Sequence, residues 1–168
     1  MNQLELGRLS PAYDVRRLTL DDVDMILAFC RRQTLYYQYC GKEPSAELIR
    51  QDLQLAPPGI PMEQKYYVGF FAGNRLAAIM HLIAGYPDSD TAFIGFFMVD
   101  SDLQGKGVGS SIVAQALEYL KAQDFLRCRL GIDKENPQSR HFWKKNGFEV
   151  IREVRREEGI ILLSERKL

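Results

Sequence analysis

Two periods of hydrophobicity meet in the middle of this chain. Residues 93–99 read Phe-Ile-Gly-Phe-Phe-Met-Val, an uncharged aromatic and β-branched run that predicts a buried strand. Beyond it, Val108, Ile112, Val113, Ala116, Leu117 and Leu120 recur at helical spacing, with Gln115, Glu118 and Lys121 off that stripe. Between the two stand Gly105, Gly107 and Gly109, so the pattern predicts strand, tight turn and helix.

The same reading extends to the rest of the chain. Residues 13–18 predict a first strand, and Asp21 and Asp22 supply an N-cap and negative charge for a helix with Val23, Ile26, Leu27 and Cys30 on one face. Leu35, Tyr36, Tyr37, Gln38 and Tyr39 follow, phenols that suit either packing or the lining of a small-molecule pocket. Ser45 caps a second helix carrying Leu48, Ile49 and Leu53, which Pro57-Pro58-Gly59 stops, and an exposed loop runs to Glu63. Strands at 65–71 and 75–83 form a hairpin over Ala72-Gly73-Asn74, and 91–99 adds a further antiparallel strand. After the glycine turn and its helix, 126–132 is a strand with Leu126, Cys128, Leu130 and Ile132 on one face, and the intervening helix makes its pairing parallel. Asn136 as N-cap, Pro137 at the first helical position and Gly147 just past the end delimit a last helix. Segments 148–154 and 159–163 then close a hairpin. The sum is a mixed α/β fold of about seven strands and four helices, one domain over 13–168 behind an N-terminal extension, 1–12.

Composition narrows the function class. A chain of 168 residues suits one domain that buries roughly 70% of its unfolded surface. Its 22 basic and 22 acidic residues leave no global field to recruit nucleic acid or an anionic membrane, and the arginine clusters read as solvated faces. The start lacks a secretory pattern, and the longest apolar segment, 76–84, contains His81 and falls well short of the roughly 20 residues of a membrane span. Cys30, Cys40 and Cys128 are odd in number and scattered, which argues against a disulfide framework or a zinc site and for a reducing, cytoplasmic setting. No metal site is expected.

Chemistry concentrates at the glycine turn. The first N–H groups of a helix lack partners, glycine lets a bulky ligand approach the backbone, and the helix dipole favours an anion there. Glycines of this kind also serve plain strand-to-helix turns. The P-loop pattern fails because Gly107 follows Lys106, and the dinucleotide fingerprint fails because its third glycine would fall at Ser110 or Ile112. Gln104-Gly105-Lys106-Gly107-Val108-Gly109 instead resembles the Q/R-x-x-G-x-G/A signature of the GNAT superfamily of acyl-CoA-dependent N-acyltransferases. Asn136-Pro137-Gln138-Ser139 followed by Phe142-Trp143-Lys144-Lys145-Asn146-Gly147-Phe148 resembles that family's second motif, in the right order.

The resemblance implies that backbone amides of residues 104–110, Ser110 included, hold the coenzyme A pyrophosphate. It also implies that strands 93–99 and 126–132 splay apart around the pantetheine arm. Backbone groups near Met98 and Val99 would then bond the arm, and one N–H would face the thioester oxygen, worth roughly 2.7–4 kcal/mol by comparison with other oxyanion donors. Asn136 and Ser139 are expected to face the arm, and Lys106, Arg140 and Lys144 the phosphates. Trp143 occupies the position where the family often has a tyrosine acid, and an indole N–H only donates a hydrogen bond. The leaving thiolate is therefore protonated by water or by Tyr36, Tyr37 or Tyr86. For the base, His81, with an intrinsic pKa of about 6.5, or an acidic residue of the acceptor loops acts through water; a core histidine is the competing reading of His81. The implied function is acetyl transfer from acetyl-CoA to a primary amine of unidentified small molecule, peptide or protein, with a non-catalytic acyl-CoA-binding or partner-binding module as the alternative. A homodimer is the default expectation for oligomeric state.

Overall fold

The computed structural model describes residues 3–168. Its seven strands, β1 (Asp14–Arg17), β2 (Lys65–Ala72), β3 (Arg75–Ala84), β4 (Thr91–Val99), β5 (Arg127–Asp133), β6 (Glu149–Arg156) and β7 (Gly159–Lys167), form one sheet. The order is β1-β2-β3-β4-β5-β7-β6, and only β4 and β5 pair in parallel. Between those two runs a crossover helix, α4 (Val108–Ala122), which returns the chain to the same end of the sheet.

Four further helices are present: α1 (Val23–Arg31), α2 (Thr34–Cys40), α3 (Ala46–Gln54) and α5 (Pro137–Lys145). The total of five corrects the four expected. The extra one, α2, is the tyrosine cluster, a seven-residue helix stopped by Gly41 at φ 73°. Aromatic rings occupy so much of it that no polar face marks a helical period. The first helix is also capped earlier than expected: Thr19 accepts from Asp21 N–H and the Asp22 carboxylate answers the Thr19 N–H in a capping box, before α1 begins. At β5 the expected face loses Leu126, which lies outside the strand and is 58% exposed, whereas Cys128, Leu130 and Ile132 are buried. The last strand runs four residues beyond 163, because β7 is paired with β5 as well as β6.

Alternation along the central strands builds two cores. Tyr66, Val68 and Phe70 of β2 and Ala78, Met80 and Leu82 of β3 face α4 and Trp143 of α5, whereas Tyr67, Phe71 and Ile79 face α1 and α3. Six α4 side chains are buried, each contributing about 1.5–3 kcal/mol where large and aliphatic, which holds the glycine-led helix firmly on the sheet. Leu4 and Leu9 join the same core, and the backbone N–H of Leu4 and Glu5 donate to the hydroxyls of Tyr66 and Tyr119 at 3.1 and 2.7 Å. Among the described residues no helix is long and apolar enough to cross a membrane.

One irregularity in the sheet shapes the site. On β4 the partners step from Ile94 to Phe96 while β3 moves one residue, from Leu82 to His81, so Gly95 is an extra residue in a bulge. The bulge reverses the faces: Ala92 and Ile94 look toward α4 before it, and Phe97 and Val99 do so after it. Parallel pairing with β5 stops at the same place, at Ile94 with Leu130, although β4 continues to Val99 and β5 to Asp133. The two strands fork.

Candidate active site

Two cavities open from this fork. The first, about 250 Å³, is lined by the end of β4, residues of the glycine turn, and one face of α5. The second, about 300 Å³, lies between α2, the diverging strands and the β6–β7 turn. Tyr36, Asn136 and Ser139 line both, so the cavities meet between those side chains.

The glycine turn is held from behind. Asp100, 2% exposed, accepts from Asp102 N–H at 2.9 Å and pairs with Arg32 at the end of α1 and with Arg75 at the start of β3, the latter at 3.3 Å. Gly105 and Gly107 have φ of 73° and 78°, values that side-chain-bearing residues rarely adopt, and a Cβ on either would meet no protein atom. Gly109 serves packing instead, since its Cβ would come within 3.1 Å of both Phe142 and Val99. Among the described residues the backbone N–H groups of 105–110 have no hydrogen-bond acceptor, which leaves a row of donors at the start of α4.

Side chains complete the first cavity. Gln104 Nε2 donates to Val99 O and to Gln33 Oε1, both at 3.0 Å. Because the Val99 carbonyl only accepts, these bonds fix the orientation of both amides and leave Gln33 Nε2 buried without a partner in the cavity wall. Asn136, 5% exposed, caps α5 by accepting from Ser139 N–H at 3.0 Å while lining both cavities. Asn146 Nδ2 donates to Ser110 Oγ at 3.1 Å, tying the end of α5 to the start of α4. Trp143 is buried against Phe97, Phe142 and Phe148.

The expected backbone donors shift by one residue. Asp100 N–H donates to Ala77 O of β3, and the two-residue alternation of an antiparallel pair directs Met98 to β3 as well, opposite Ile79. The backbone groups on the open side of the fork therefore belong to Phe97 and Val99, not to Met98, whose side chain nevertheless lines the cavity. Nothing in the sequence pattern carries this parity, because the bulge at Gly95 sets it.

The remaining candidates separate. Tyr36 keeps 36% of its surface exposed, and burial raises its phenol above the ordinary pKa. Tyr37 lies in the core beneath α1, and Tyr86 packs on Phe93; neither lines a cavity. His81 stacks on Tyr67 at 5.7 Å with Nε2 unpartnered, and burial pushes its pKa down to about 4. It sits behind Gly95 and lines neither cavity. Lys106, Arg140 and Lys144 are exposed and outside the walls, whereas Gln33, Phe97, Gln138, Phe142 and Lys145 belong to the first wall without having been singled out in the sequence. Of these, Gln138, Phe142 and Lys145 fall within the second motif.

The sequence pattern of the Acetyltransferase (GNAT) family matches residues 27–148. The chain belongs to the GNAT family. An uncharacterized N-acetyltransferase of Methanocaldococcus jannaschii is 25% identical over 156 residues, covering 87% of this chain and 65% of that protein, so the chain spans less than two thirds of that relative's length. Among solved structures, an acetyltransferase from Thermus thermophilus has a TM-score of 0.72 at 22% identity, over 94% of this chain and 97% of that one. An aminoglycoside acetyltransferase crystallised with coenzyme A has a TM-score of 0.71 at 15% identity, over 91% and 93%. These likenesses establish the GNAT fold.

Proposed function

We propose that this GNAT chain transfers an acetyl group from acetyl-CoA to a primary amine, and the forked strands between two cavities carry the proposal. The residues present fit the cosubstrate. The free N–H groups of 105–110 suit its diphosphate, the β4 edge that leaves β5 at Phe97 and Val99, where only the Val99 carbonyl is met by Gln104, suits the amides of its pantetheine arm, and the orphaned Gln33 Nε2 is a further donor for one of its oxygens. Bound there, the thioester supplies an electrophilic carbonyl and a thiolate leaving group.

The chain's own groups then divide the work. The Phe97 N–H is the backbone donor nearest the fork on the open edge, suited to negative charge on the carbonyl oxygen. Tyr36, common to both cavities and carrying its proton at neutral pH as tyrosines do, is the proton donor for the departing sulfur and regains a proton from the attacking amine; burial raises its pKa, which makes it a weaker acid rather than a stronger one. Asn136 and Ser139 line the passage between the cavities. In this reading the working compartment is the cytoplasm, where Cys30, Cys40 and Cys128 stay as the free thiols found here.

Calorimetric titration with acetyl-CoA beside NAD and ATP tests the reading. One-site binding of acetyl-CoA alone, followed by free thiol released only when an amine is added, is the expected result. Absence of acetyl-CoA binding overturns it, and binding without amine-dependent thiol release leaves a non-catalytic acyl-CoA-binding module.

A further inference from the structure

The second cavity is lined by four charged side chains, of which two satisfy each other. Lys42 Nζ lies 3.2 Å from Glu158 Oε1, a pair that ties the loop after α2 to the β6–β7 turn. Asp133, half-buried at the end of β5, accepts one hydrogen bond at Oδ1, from Glu135 N–H at 3.0 Å, and has no cationic partner among the described residues. The side chain of Arg156, exposed at the end of β6, makes neither hydrogen bond nor ion pair among the described residues. The wall between them is largely aromatic and aliphatic, with Tyr36, Tyr39, Phe93 and Ile161. One unpaired anion and one unpaired cation thus share a cavity of about 300 Å³ whose formal charge sums to zero.

We infer that the acceptor is a small zwitterionic amine, an amine that also carries a carboxylate or phosphate. This rests on the acetyl-transfer reading above. Asp133 lies just past Leu130, the last β5 residue paired with β4, and Asn136 close after it lines both cavities; an ammonium held by Asp133 is therefore at the fork, where it gives a proton to water beside that carboxylate before the neutral amine attacks. Arg156 stands at the β6–β7 rim and offers a planar fork of donors suited to carboxylate or phosphate. A polycation of the aminoglycoside or polyamine type would instead bring surplus ammonium groups against Lys42 and Arg156, a like-charge arrangement that selects against it.

The test is a panel of amines assayed for acetyl-CoA-dependent thiol release and titrated calorimetrically into the protein saturated with coenzyme A. The panel holds L-methionine, L-phenylalanine, 4-aminobutyrate and O-phosphoethanolamine, the amides of the first three, ethanolamine, spermidine and kanamycin. At least one zwitterion is expected to exceed its counterpart lacking the acid group about tenfold in kcat/KM and in affinity, and Arg156→Gln is expected to remove that advantage while coenzyme A binding stays the same. Preference for an amino acid or for phosphoethanolamine tells carboxylate from phosphate. Equal use of zwitterion and counterpart, or preference for spermidine or kanamycin, overturns the zwitterion while leaving acetyl transfer intact. No turnover of any amine by a protein that binds acetyl-CoA overturns both.

Discussion

The two cavities at the fork are similar in volume and opposite in construction. The first pairs one stretch of backbone, from the end of β4 through the turn to Ser110, with side chains of α5, Gln33 and Tyr36, and the donors of its turn are N–H groups that no side chain replaces. The second is assembled from α2, the ends of β5 and β6, and the turn before β7, and its chemistry lies in charged and phenolic side chains far apart in sequence. A backbone site must keep glycines at fixed spacing, and so it can be read as a motif. A side-chain site on separate loops can change its ligand without disturbing the fold.

Substitution at Gly107 breaks the first cavity most completely. Its φ of 78° and the empty space at its Cβ mean that Gly107→Val strains the turn and projects a branched side chain where a ligand would lie, rather than into protein. Coenzyme A affinity is expected to fall about a thousandfold, or about 4 kcal/mol, by calorimetry. Stability should fall only by the strain of a side chain at positive φ, about 1–3 kcal/mol, whereas a larger loss of stability with unchanged affinity would assign the turn to structure.

This division explains what the sequence disclosed. The glycine signature, the Asn-Pro start of α5 and the strand-helix-strand order were legible because each depends on local backbone geometry. Helix α2 was not, because its tyrosines carry no polar face, and neither was the choice of Phe97 over Met98, because a bulge against β3 decides it. Gln33 escaped notice for another reason: its role follows from contact with Gln104, 71 positions away. Asp133 and Arg156 likewise meet only after β5, β6 and β7 have paired.

His81 tests the strand that the cavities share. Its folded pKa of about 4 lies below the ordinary 6.5, so between those values the unfolded chain binds more protons and stability rises with pH. The contribution is complete above pH 6.5 and is lost as pH falls toward 4, by up to about 3 kcal/mol. His81→Phe should therefore flatten the pH dependence of urea midpoints from pH 6.5 to 4. Between pH 6.5 and 8 the histidine is neutral in either case, and the turnover profile of His81→Gln should match wild type; a shifted profile would restore the histidine as the base.

Gln33 sharpens the contrast, a buried side chain just past the end of α1 serving the cavity of the glycine turn. Two roles are separable because its amide is oriented: Oε1 accepts from Gln104, and Nε2 is left free. Gln33→Leu abolishes both, whereas Gln33→Glu keeps an acceptor for Gln104 but replaces the free donor with a negative charge. If Gln33 only steadies Gln104, glutamate should bind coenzyme A nearly as well as wild type and leucine should bind it worse. If the free N–H meets an oxygen of the diphosphate or pantetheine, the order reverses. Leucine is then expected to cost about tenfold in affinity, about 1.4 kcal/mol, and glutamate more, with its excess loss shrinking as salt screens the repulsion between like charges. Titrations of both variants at low and high salt therefore decide whether the first cavity is recognised by backbone alone.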